Sequence, residues 1–323
     1  MTTTLSLLIV KADFDYRRIV PGDLATWTLP VWFSWDPLLP YLTVVVLLAI
    51  GLPKAIKNAP PRVSVLDKII LCGPVFVGMP MVVFGEEHYL LPAEIGGLIP
   101  AWIPAHVFWV YLVGTCLILG GLSIVVQKYA WLSAGLFGVM LLCFEVLMDI
   151  PAVVATPHDR LIWSLTFREF SFSAGALAFA AMWTQPWKTK GTHWLISVAR
   201  VVIGVVLIFF ALEFFFHPEL LPGVPLEQLT PSFIPAGVLW GYLTGVAFIV
   251  AGVCLLINRR ARLAATWLGV FVLLTVILFC APYMVQKGSG IGALNVPLDT
   301  LMFSGAILCL AGSQREEKHL RRG

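Results

Sequence analysis

PAWIPAHVFWVYLVGTCLILGGLSIVV, residues 100–126, decides the fold, because it returns as PSFIPAGVLWGYLTGVAFIVAGVCLLI at residues 231–257. A shift of 131 residues lays Pro100, Ile103, Pro104, Trp109, Tyr111, Gly114 and Gly121 on Pro231, Ile234, Pro235, Trp240, Tyr242, Gly245 and Gly252. The register continues without a gap. Leu132 falls on Leu263, Gly138 on Gly269, Pro151 on Pro282, and Phe172-Ser173 on Phe303-Ser304. A fixed period of this kind signals a duplicated architectural unit. Each copy holds an apolar run of the length that crosses a bilayer, about 20 residues.

The rest of the 323-residue chain agrees: 59% of it is hydrophobic and 12% charged, with a mean hydropathy of +0.91. Soluble domains carry about a quarter charged residues. The composition predicts an all-α polytopic membrane protein in a lipid bilayer. Nine helices are expected: Val31–Leu52, then Leu66–Phe84, Ile103–Val126, Trp131–Ile150 and Thr166–Trp183, then Trp194–Phe215, Ile234–Ile257, Ala264–Val285 and Pro297–Ala311. The expected segments are 1–61, with the first helix, 62–190 as repeat A, and 191–323 as repeat B with a short basic tail. Trp27, Trp32 and Trp35 cluster before the first helix, as tryptophans do at a membrane interface.

Basic residues set the orientation. Fourteen Lys and Arg fall on alternate connections and the tail, while the opposite connections hold only Arg160 and Lys287. The positive-inside rule then puts the C-terminus in the cytoplasm and the N-terminus outside. A four-helix repeat returns to the side it left, so the two copies share one orientation about an axis along the membrane normal. No basic arm suited to nucleic acid is present. The N-terminus, MTTTLSLLIV, lacks the charged start of a signal peptide.

Glu145 and Asp149 are the most informative polar pair. They stand four apart on the fourth helix and so share a face. Glu145 is expected about 6 Å outside the midplane, where a carboxylate needs a partner or a function. Arg168, beside Glu169 at the outer end of the fifth helix, is the expected partner. Repeat B has Val276, Cys280, Asp299 and Thr300 at these places. The cluster reads either as a catalytic site or as a structural ion pair.

His88, His106, His217 and Glu213 are candidate ligand-binding residues near the outer face. Their spacing matches no specific metal site, and they are expected to be solvated interface residues. Six cysteines lie in apolar runs without C-x-x-C and are expected to be small buried residues. No mid-membrane histidine pair for a haem, and no flavin, nucleotide or hydrolase motif, is present. Arg200 is expected to reach to the cytoplasmic surface. Gly237, Gly241, Gly245 and Gly252 form a small-residue stripe for close helix packing. Repeat A has His106, Val110, Gly114 and Gly121 in that register, a replacement that reads either as room for a cavity or as a histidine placed at the outer headgroup level.

Pro100–Leu122, followed by a basic turn, an apolar span and a proline, resembles the DoxX-like membrane proteins, four-helix proteins of bacterial membranes. The elements Phe84–Tyr89 and Phe214–Pro218 fit the same pattern. The resemblance implies a tandem pair of such units in a bacterial cytoplasmic membrane. The family includes subunits linked to thiosulfate oxidation with quinone as acceptor, so quinone is the cofactor it suggests. Two polar positions of the family are apolar here: a glutamate is replaced by Leu117 and Phe248, and an asparagine by Val153 and Met284. Three functions are weighed: a non-catalytic or accessory subunit of a membrane redox or envelope complex, a quinone-binding oxidoreductase subunit, or a small-molecule carrier.

Overall fold

The computed structural model describes residues 38–60, 63–183, 190–287 and 290–320. The tryptophan cluster, the expected start at Val31, and Arg62 and Lys188 lie outside these residues. The protein is an all-α polytopic membrane protein. Its helices are α1 (Leu38–Lys57), α2 (Val65–Leu90), α3 (Pro92–Gly96), α4 (His106–Val125), α5 (Ala130–Phe144) and α6 (Ile150–Ala155), then α7 (Arg160–Trp183), α8 (Lys190–Phe216), α9 (Gly237–Leu256), α10 (Ala261–Thr275), α11 (Ala281–Lys287) and α12 (Ile291–Leu320). A π-helical turn joins α5 to α6 (Glu145–Asp149), and another joins α10 to α11 (Val276–Cys280).

Among the described residues, eight helical stretches are long and apolar enough to cross a membrane, with α5 through α6 and α10 through α11 each counting as one. The ninth long helix, α7, carries Arg160, Arg168 and Glu169 in its first half. It is enclosed by α5, α8 and α12. Enclosure is what lets a helix with these charges sit within the bundle. Several helices outrun their expected bounds. α7 starts at Arg160 rather than Thr166, so Arg168 stands two turns inside it rather than at its end. The fourth span passes Pro151 and ends at Ala155.

Elements recur at the spacing of the sequence repeat. His106–Val125 and Gly237–Leu256 are 131 residues apart at both ends, as are Ala130–Phe144 and Ala261–Thr275, and the two π turns. The left-handed backbone positions pair likewise: Ala105 with Ala236, Gln127 with Asn258, Tyr129 with Arg260. Such φ values are uncommon outside glycine, so three matched pairs are a specific likeness of backbone between the two stretches. Proline explains the π turns. Pro151 and Pro282 lack an N–H, and their rings crowd the carbonyl four residues back. The chain widens instead, and the N–H groups of Ile150 and Ala281 reach five residues back to Glu145 and Val276.

The centre of the bundle is α2, α7, α8 and α12. In α12, 94% of the apolar window is buried, against 22% in α1. α7 crosses α12 where Gly175 meets Ala306, two positions 131 residues apart in sequence. Ser173 donates to the Gly138 carbonyl and Ser304 to the Gly269 carbonyl, both at 2.8 Å, tying α7 to α5 and α12 to α10 in the same way. Phe210, Phe248 and Phe303 interlock in the core, with ring centroids 5.5 Å (210–303) and 5.9 Å (248–303) apart. The outer faces of α1, α4, α5, α9 and α10 present Leu, Val, Phe and Trp side chains, the surface expected in lipid. In α4, Val110 is buried, and Gly114 packs on Gly85 and His88, so the altered stripe is filled by close packing. Cys72, Cys280 and Cys309 are buried as expected, but Cys116 and Cys143 are exposed on the outer faces, because they fall on the lipid-facing side of α4 and α5.

Candidate functional site

The carboxylate cluster forms where the π turn meets α7. Widening the helix at Glu145–Asp149 keeps both acids on the inner face, Glu145 fully buried and Asp149 2% exposed. The fourth span runs from Ala130 to Ala155, so Glu145 lies about 4 Å from its middle at 1.5 Å per residue. Glu169 comes in from α7. One carboxylate oxygen of each of Glu145, Asp149 and Glu169 lies within 4.8 Å of the others.

Arg168 is aimed elsewhere than expected. It donates to Asp299 on α12 at 2.8 Å and to the adjacent Glu169 at 3.2 Å, and its guanidinium lies 5.8 Å from the Phe172 ring. Glu145 takes no hydrogen bond from it: both Glu145 oxygens are buried without a partner. The backbone of Phe170 faces Glu145, but its N–H belongs to the α7 helical ladder. The expected Glu145–Arg168 pair is therefore replaced by an Arg168–Asp299 pair. Sequence depth alone does not reveal how α7 is turned toward α12.

A second polar group continues across α12. Asn295 donates to Glu87 of α2 at 3.4 Å, and Thr43 of α1 donates to Glu86 at 2.6 Å. The sequence reading missed Asp299 and Asn295 as site residues. The available signal was that both are polar residues at the head of a long apolar run.

The histidines are not gathered. His88 Nδ1 lies 2.7 Å from the Phe84 carbonyl, one turn back. His106 begins α4. His217 pairs with Glu219 at 3.5 Å on the surface. Glu213 holds Arg160 at 3.0 Å, and Arg160 also donates to the carbonyls of Pro225 and Leu226, drawing residues 220–225 into the bundle. Arg200 is buried, 8% exposed, and donates to the Leu255 and Leu256 carbonyls. It caps the C-terminal end of α9 instead of reaching to water, a favourable place for a cation.

Of the four apolar residues singled out in the resemblance, Leu117, Val153 and Phe248 are buried and Met284 is half-buried. Comparison with family models, curated proteins and solved structures gives no match.

Proposed function

We propose that this chain is a DoxX-like accessory subunit of a redox or envelope complex in a bacterial cytoplasmic membrane. In this reading an N-terminal helix (1–61) precedes two tandem, parallel four-helix units (62–190 and 191–323), with the N-terminus outside and the C-terminus in the cytoplasm. The carboxylate cluster of the first unit is its working part, and it takes up positive charge inside the membrane.

The observation that carries the reading is Glu145, fully buried with two unpartnered oxygens beside two further carboxylates. Burying such a group is costly. The second unit builds the same turn with Val276, Cys280 and Thr300 in these places. The fold therefore does not require the acids. A quinone-binding oxidoreductase subunit is the second reading. It is favoured by the part-exposed side chains of Arg168 and Glu169, 17% and 19%, which offer a mouth to the cluster. A carrier has less support, since α5 from Ala130 to Phe144 supplies one hydroxyl, Ser133, between the cluster and the basic end.

Infrared difference spectroscopy of the protein in lipid tests the reading. The wild type is expected to show a carboxyl band that changes on titration and is absent from Glu145→Gln. A wild type with no titrating carboxyl band, or an unchanged band in the variant, overturns it.

A further inference from the structure

Resting on the charge-uptake reading above, we propose that Glu145, Asp149 and Glu169 together bind a hard divalent cation of the Mg²⁺, Mn²⁺ or Ca²⁺ class. Three observations carry this. The first is spacing. Two oxygens bound to one ion at about 2.1–2.4 Å lie at most about 4.2–4.8 Å apart, and the three carboxylates present oxygens within 4.8 Å of one another.

The second is Glu145 itself. It is fully enclosed, aimed into the group, and receives no hydrogen bond at either oxygen. A buried carboxylate in that state lacks the donors that normally accompany burial, and an ion bound at the centre supplies what is missing. The third is charge. Arg168 is shared between Glu169 and Asp299, which leaves four carboxylates against one guanidinium. A dication brings the group to within one charge of neutrality, which an enclosed site in a membrane favours.

The donor set chooses the class of ion. All three ligands are carboxylate oxygens, with no histidine or cysteine among them, and oxygen-only sites suit Mg²⁺, Ca²⁺ and Mn²⁺ rather than softer metals. The second unit is an internal control: Val276, Cys280 and Thr300 offer no carboxylate at the matching places. The protein is expected to hold one ion, not two. Glu169, the part-exposed member, stands at the point of entry.

The test uses the whole protein in mild detergent, stripped with EDTA and titrated with Mn²⁺ under electron paramagnetic resonance. One Mn²⁺ per chain is expected, displaced by Mg²⁺ or Ca²⁺, with a raised melting temperature in each. Glu145→Gln is expected to weaken binding by about tenfold or more, since affinity follows the number of ligand charges. Glu219→Gln, on the surface, is expected to bind as the wild type does. Should Glu145→Gln not fold, Glu169→Gln carries the same expectation. No Mn²⁺ uptake by the wild type, or equal uptake in the cluster variant and Glu219→Gln, overturns the proposal. A titrating carboxyl band without Mn²⁺ uptake removes the metal and leaves the charge-uptake reading standing. Absence of both removes both.

Discussion

Arg168 serves Asp299 on α12 and Glu169 on its own helix at once. Removing one member of such a pair strands the other in the bundle, at a cost of about 3–5 kcal/mol. Arg168→Met is therefore expected to lower unfolding stability in detergent by roughly that amount, and Asp299→Leu by a similar amount. The double variant is expected to lose clearly less than the sum, because Asp299 is then no longer there to be stranded, although Glu169 still lacks its guanidinium. Strictly additive losses in an SDS or thermal titration would show that the two side chains act independently. The sequence marked Glu145, Asp149, Arg168 and Glu169 as one group, and they do meet. It could not assign the partner, because helix rotation is set by packing that only the folded bundle contains.

At the scale of elements, close approach of backbones does the work that amphipathic faces do in soluble bundles. A Cβ at Gly121 would press into the Gly78 carbonyl oxygen, well inside van der Waals contact, whereas one at Gly120 meets only the flexible end of Met81 at 3.3 Å. Gly121→Ala is expected to destabilise the protein by about 1–3 kcal/mol through overpacking, and Gly120→Ala to leave it nearly unchanged. Equal melting temperatures for these neighbouring variants would refute the close-contact account. The helices and their 131-residue recurrence were legible because lipid-facing runs are long and apolar. Their ends were less so. Pro151 reads as a stop, yet the chain widens around it and continues to Ala155. α7 runs back to Arg160 because its charges are sheltered by neighbouring helices.

At the scale of the whole molecule, the proposed orientation places Lys128 and Arg259–Arg262 in the cytoplasm and Glu94 outside. Cysteines substituted at Glu94 and Lys128 test this in a background with Cys116 and Cys143 replaced, since both are exposed. A membrane-impermeant maleimide added to intact cells is expected to label Glu94→Cys and to spare Lys128→Cys. The reverse pattern would invert the protein and with it the access side of the carboxylate cluster.

Arg168 and Asp299 are 131 residues apart, so the ion pair joins corresponding positions of the two matching segments. Two identical segments crossing at that point would bring arginine against arginine, or aspartate against aspartate. Opposite residues can occupy this crossing only once the two segments differ in sequence, as they do within this chain. A substitution on either side is then answered by its counterpart on the other. Once that has happened, neither segment is suited to pair with a copy of itself, and joining the two in one chain is hard to undo.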